Sequence, residues 1–274
     1  MLKDTNGTTN SEEEFKFSCY SNWGVSIATI SAVTFIVNIF HLVIISRMRQ
    51  LQGRPYRLIL IHITLADIGS SLFLLTLYSC LPGYYVIKSP FVSSIVGWPL
   101  FTSHWIFLLA GIEQYYSICR PLLYETVNFV QKLFPILVLT WMLTFCWSTA
   151  TVAIDVILRS FPGSSAKVHQ YLDLAFRYGP LILAAIPLTL VLKELTRMRQ
   201  MAVADRQKQS RRAAVFLIMI YSLFTTFSVF ELIMNSIAVY NPSQILFSTL
   251  RLKNVTKCFY GIINTVIYGF RTKA

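Results

Sequence analysis

Seven long apolar runs divide this chain, and they constrain its fold more than any other feature. They are Trp23–Ser46, Tyr56–Leu81, Phe91–Ile118, Leu133–Leu158, Leu172–Leu192, Ala213–Tyr240 and Val255–Phe270. A membrane-crossing α-helix needs roughly 20 mainly apolar residues. The runs therefore predict an all-α membrane protein, a seven-transmembrane helix bundle with its N-terminus outside and no eighth helix. Gly179, Pro180 and Pro187 fall inside the fifth run and are expected as kinks, which membrane helices tolerate. The seventh run is the shortest and least hydrophobic. The expected division is an extracellular tail over 1–22, the bundle over 23–270 and a short cytoplasmic tail over 271–274.

Composition supports this class. Charged residues make up 13% of the 274 and hydrophobic ones 55%, with a mean hydropathy of +0.57. A soluble domain carries about 25% charged residues. The 14% of aromatics argues against disorder, which is polar and poor in aromatics. Five cysteines are too sparse for a disulfide-built miniature fold. A net charge of +12 would suggest nucleic acid in a soluble protein. Here the question is which loops hold the charge, and no nucleic-acid partner is expected. The start, Met1 to Lys16, is polar and holds Glu12, Glu13 and Glu14, unlike a secretory signal. The first apolar run is expected to serve as an uncleaved anchor.

Lysine and arginine orient the chain. Arg47, Arg49, Arg54 and Arg57 follow the first run, and Arg120 and Lys132 follow the third. Lys193, Arg197, Arg199, Arg206, Lys208, Arg211 and Arg212 follow the fifth, and Arg271 and Lys273 lie near the end. These fifteen face eight on the other side: Lys3, Lys16, Lys88, Arg159, Lys167, Arg251, Lys253 and Lys257. The richer side is expected to be cytoplasmic. The two glycosylation acceptors, Asn6 and Asn254, fall on the side assigned outside.

Ionisable residues inside apolar runs cost about 2.5–3.5 kcal/mol on insertion scales and tend to mark function. Asp67, Glu113, Asp155, Arg177 and Glu231 are such residues, joined by the polar Asn38, His41, His62, His104, Asn235 and Asn264. Asp155, His41 and His62 are read as helix-end residues or helix–helix hydrogen-bond partners. Asp67 lies about ten residues into the second run, too deep to reach water. It needs partners, a water-filled cavity or a cation.

Several marks in order resemble rhodopsin-like (class A) G-protein-coupled receptors. Asn38 lies in run one, Leu65-Ala66-Asp67 in run two, Trp141 in run four and Pro187 in run five. Run three ends Glu113-Gln114-Tyr115-Tyr116-Ser117-Ile118-Cys119-Arg120-Pro121-Leu122-Leu123-Tyr124, similar to the family's Asp/Glu-Arg-Tyr-x-x-Ile-Cys-x-Pro-Leu-x-Tyr. Run seven holds Asn264-Thr265-Val266-Ile267-Tyr268, like Asn-Pro-x-x-Tyr. Arg54-Pro55-Tyr56, Ala66-Asp67-Ile68 and the ending from Ile267 to Lys273 lean toward odorant-type receptors. Their signature before run six is missing.

The chain also departs from that family. Gln114 replaces its Arg and Thr265 its Pro, and Phe224-Thr225-Thr226-Phe227 stands where Cys-Trp-x-Pro is usual. The cysteine at the top of run three is absent.

The resemblance implies a plasma-membrane receptor passing an unknown extracellular ligand to a heterotrimeric G protein, with membrane lipids and a second copy as further partners. Glu113, Gln114, Tyr115, Asn264 and Tyr268 would serve coupling, and Asn38, Trp141 and Pro187 would be structural. Asp67, Ser103 and Asn264 match a sodium site, an allosteric ion in place of any cofactor. The alternative for them is a purely structural polar network. Glu113 is expected either to pair with Arg211 or Arg212 or to be a solvated helix-end carboxylate. Val96 stands where aminergic receptors carry Asp, and Cys258 where opsins carry Lys, so neither ligand class is expected. His104, Trp105, Arg177 and Glu231 are the candidate ligand contacts, against packing and interfacial aromatics as the alternative. Cys19 and Cys258 would adjoin in this fold and could form a disulfide. Free, buried thiols are the alternative.

A transporter or channel tends to show duplicated halves, which are not evident here. No metal-hydrolase or triad pattern suggests an enzyme. A receptor-like scaffold without coupling stays open because of Gln114 and the short tail.

Overall fold

The computed structural model describes residues 22–47, 55–78, 90–126, 129–159 and 165–198, and parts of 215–233. The described residues are all helical apart from the break at Arg120. Helices α1 (Asn22–Arg47), α2 (Pro55–Tyr78), α3 (Pro90–Cys119), α4 (Pro121–Thr126), α5 (Phe129–Arg159) and α6 (Ser165–Met198) follow in order. A shorter apolar helix, α7 (Tyr221–Phe230), comes last.

Prolines open three of them. Pro55, Pro90 and Pro121 begin α2, α3 and α4, where the missing N–H is one that a helix leaves unbonded anyway. At the junction of the first two helices, an Arg57 Nη donates to the Ser46 carbonyl at 2.6 Å. That satisfies one of the carbonyls orphaned at the end of α1.

The seven-span expectation is overturned. Among the described residues four helices are long and apolar enough to cross a membrane: Val25–Arg47, Pro55–Thr76, Gln131–Ile154 and Leu174–Arg197. The expected third span forms a helix of 30 residues that is not one of these four, and Pro99, Thr102, Ser103, His104, Glu113 and Gln114 lie buried along it. Of the sixth, the described residues give the apolar helix Tyr221–Phe230. The seventh lies outside the described residues. An apolar run read along the chain counts residues without regard to which neighbour they face. The polar side chains of α3 are those that face inward.

Helix α3 occupies the centre and packs against α2, α5 and α6, while α1 packs on α2. Small residues let the backbones approach. A β-carbon placed on Gly69 of α2 would lie 2.9 Å from Cγ of Pro99 on α3. One placed on Gly111 of α3 would lie 3.2 Å from Cγ of Pro187 on α6. The core between them holds Ile59, Ile63, Ile106, Phe107, Leu137 and Leu188.

Candidate functional site

Two places on α3 gather chemistry. The first is its end, where the motif from Glu113 to Tyr124 folds back on itself. Glu113 is 2% exposed and Gln114 4%. Gln114 Nε2 donates to one Glu113 oxygen at 2.6 Å, and the Tyr124 hydroxyl donates to the other at 2.7 Å. Tyr124 can reach because Pro121 starts α4 one residue after α3 stops, with Arg120 and Tyr124 continuing the backbone bonds across the break. Burial with two donors is not the solvated carboxylate that Glu113 could have been. Arg211 and Arg212, the other expected partners, lie outside the described residues. Tyr115 packs edge-on against Tyr116, with ring centroids 5.5 Å apart, and leans on Ile118, Val191 and Leu195.

The second place lies earlier along α3, where His104, Trp105 and Phe101 meet α5 and α6. His104 Nδ1 is 2.7 Å from the Arg177 carbonyl. A carbonyl only accepts, so this nitrogen carries the proton. Pro180 supplies no N–H to the Phe176 carbonyl, one residue before Arg177 on the same helix. The Leu181 carbonyl, one residue past Pro180, accepts the Tyr221 hydroxyl of α7 at 2.7 Å. Arg177 Cζ stands 4.0 Å from the centre of the Phe101 ring, a cation–π contact. Trp105 packs on Phe176 at 5.2 Å, and Phe176 stacks on Trp147 of α5 at 4.2 Å. Tyr178 lies 5.5 Å from His104. Three of the four expected ligand contacts are thus brought together, and Glu231 lies outside the described residues.

Asp67, Ser103 and Asn38 are all buried, on α2, α3 and α1. Asn38 donates its amide to the Thr34 carbonyl of its own helix at 2.9 Å. Asn264, Tyr268, Asn6, Asn254, Cys19 and Cys258 lie outside the described residues. Pro187 packs on Gly111. The side chain of Asp155 is not among those described.

No family model matches the chain, and no curated protein matches it. What it is must be read from its own surface and interior. Large apolar side chains such as Val33, Phe40, Leu139, Met142, Ile182 and Ile186 are exposed. Asn38, Asp67, Ser103, His104 and Glu113 are buried. The exposed apolar side chains lie on long apolar helices, and the buried polar ones lie on two of those helices and on α3. It is a membrane protein.

Within this membrane protein, several polar ties join helices that the sequence did not connect. Trp141 Nε1 donates to His62 Nδ1 at 2.9 Å, linking α5 to α2. Trp98 packs edge-on against both Trp141 and Phe145, at 5.3 and 5.1 Å. Thr102 and Thr144 bond across α3 and α5 at 2.8 Å, and His41 meets Thr64 at 3.1 Å across α1 and α2. The helix–helix reading of His41 and His62 fits these bonds. A signal for α5 was present: Thr140, Thr144, Ser148 and Thr151 recur every three or four residues, which places them on one helical face.

Proposed function

We propose that this membrane protein is a rhodopsin-like receptor of the plasma membrane, crossing it several times, that passes the arrival of a small, non-aminergic extracellular ligand to a heterotrimeric G protein. The observation that carries the reading is the α3–α4 junction. The run that resembles the family's coupling motif folds into one buried hydrogen-bonded unit of Glu113, Gln114 and Tyr124. The His104–Trp105–Arg177 cluster supports it, because α3 joins that cluster to the junction. Asp67 and Ser103, both buried, suit an allosteric sodium ion as hard oxygen ligands.

A second reading, a receptor-like scaffold that no longer couples, is favoured by Gln114. Its amide is taken up by the adjacent Glu113, and it lacks the fixed charge and five donors of arginine. A charge-assisted hydrogen bond contributes about 1.5–3 kcal/mol, so its absence would weaken coupling roughly ten- to a hundredfold.

The full chain, co-expressed with each class of G protein, is expected to give weak basal activation. Gln114→Arg is expected to raise it at matched surface expression. Silence of both forms would favour the scaffold. Strong signalling by the parent that Gln114→Arg leaves unchanged would remove the junction as the coupling element.

A further inference from the structure

We infer that the junction of α1 and α2 binds a phospholipid whose headgroup carries several phosphates, with Arg57 and Arg47 on the phosphates and an acyl chain along the exposed face of α1. The inference goes beyond the receptor reading and does not depend on it.

Two spans meet one membrane boundary here, where Val25–Arg47 stops and Pro55–Thr76 starts. Arg57 has five N–H donors and a permanent charge. One Nη proton goes to the Ser46 carbonyl at 2.6 Å, which fixes the guanidinium beside the last residue of α1. Its Nε–H is buried and has no acceptor among the described residues. Neither Arg57 nor Arg47 forms an ion pair among the described residues. In the sequence, residues 48–54 add two more arginines and no acid.

A third described cation belongs to the same end of the bundle. Lys132 is exposed near the start of α5. It precedes Leu133, which joins Ile45 of α1 and Tyr56 of α2 in one buried cluster. The ends of three helices thus bring basic side chains to one side of the membrane.

A neutral carbonyl holds the Arg57 guanidinium in place without supplying a countercharge. The guanidinium fork matches phosphate oxygens in paired bonds, and runs of Lys and Arg beside a membrane helix attract anionic headgroups. Several cations with no acid among them favour a headgroup with more than one phosphate, because a lone phosphodiester brings a single negative charge.

The lipid, as opposed to a free phosphate, follows from α1. Phe40, Val43 and Ile44 are exposed, and so is Arg47. Their spacing of three and four residues sets them on one helical face. An apolar stripe that ends on a cation at the membrane boundary repeats the order of groups in a phospholipid. Chains lying along the stripe keep the headgroup at the depth of Arg47, which raises its effective concentration there.

The test presents the detergent-solubilised full chain with equal amounts of phosphatidylinositol bisphosphate and phosphatidylserine, and counts bound lipids by mass spectrometry of the intact protein. The bisphosphate lipid is expected to be retained in preference. Arg57→Gln is expected to weaken its binding about tenfold or more, and Arg47→Gln about fivefold. Arg197, at the arginine-rich end of α6, already pairs with Glu194 at 3.8 Å, so Arg197→Gln is expected to change little. Soluble inositol trisphosphate, at the concentration of the lipid, is expected not to displace it.

Equal losses in Arg197→Gln and Arg47→Gln would show a diffuse charge effect and overturn the site. Equal retention of phosphatidylserine would overturn the headgroup class. Displacement by inositol trisphosphate would assign the site to a soluble phosphate and overturn the lipid. Should Arg57→Gln fail to fold, the exposed Arg47→Gln compared with Arg197→Gln decides.

Discussion

Trp141 donating to His62 shows how a single polar contact works in this interior. With no water to replace a lost partner, a broken bond leaves a donor or acceptor stranded. The chain in a membrane can also find substitutes, so such side-chain bonds average about 0.6 kcal/mol, with a maximum near 1.7. A double-mutant cycle of Trp141→Phe and His62→Leu, read by thermal melting in detergent, should return a coupling of about that size. Additive losses would mean that the bond contributes nothing beyond packing. The spacing of the chain offered no hint of this pair, because the two residues are 79 positions apart and either could have met any polar partner. Glu113 differs. Its neighbour Gln114 was visible as a departure from the family motif, but that Tyr124 would close the second carboxylate oxygen depends on the turn at Pro121. Tyr124→Phe keeps the ring and removes that donor. It is expected to lower the melting stability by about 1–3 kcal/mol, the usual loss when a bonded carboxylate is stripped of a donor. An unchanged melt would mean that Gln114 alone suffices.

Helix α6 carries Pro180 and Pro187, and the surroundings of the two prolines differ. The carbonyls of Arg177 and Leu181 around Pro180 accept side chains from α3 and α7, so this stretch is tied on two sides. Pro187 instead packs its ring on Gly111, where a β-carbon would also meet Leu188 Cγ at 3.5 Å and the Ala184 carbonyl at 3.6 Å. Neither a proline ring nor a backbone oxygen can swing aside. Gly111→Val is therefore expected to force α3 from α6 and to cost about 1–3 kcal/mol, with Gly111→Ala costing less. Gly179 has open space around it, so Gly179→Ala serves as the control with little loss. Equal melting of Gly111→Val and the parent would refute the close approach. The existence of α1, α2, α5 and α6 was legible from their apolar runs, and the helix ends moved by only a few residues at most of them. Helix α6 ran further, from Ser165 to Met198, because backbone bonding carries a helix past the apolar stretch that marks it.

For the whole molecule, polarity is reversed relative to a water-soluble protein, and this makes exposure a poor guide to water access. Cys146 is exposed yet lies within the span Gln131–Ile154. In native membranes, with the other four cysteines changed to Ser, Cys146 is expected to react with a lipid-soluble maleimide and to resist a charged thiosulfonate. Fast reaction with the charged reagent would mean that this face of α5 meets water. Cys119, at the end of α3, sits outside the four long spans. Burial pushes its thiol above the usual range, the Glu194 carboxylate adds to the rise, and Arg120 opposes it. A matched variant that retains only Cys119 should therefore react slowly at neutral pH with either reagent, and faster as the pH rises and the thiolate forms.

The sequence by itself determined the solvent of this protein. Its apolar runs and scarcity of charge demand a hydrocarbon surround, because hydropathy is a property of each segment and needs no partner. It also marked the residues that such a surround makes costly, Asp67, Glu113, His104 and Arg177 among them. It could not say how many runs become membrane-crossing helices, and seven was too many for the described residues. Nor could it say which helix the others enclose, and the enclosed helix α3 carries buried polar side chains such as Ser103, His104 and Glu113. Only the tertiary structure decided that α3 is the centre, that Gln114 and Tyr124 share one carboxylate, and that Arg177 turns inward over Phe101. Those choices rest on contacts between segments far apart in the chain, set by glycine–proline approaches and by the need of every buried polar group for a partner.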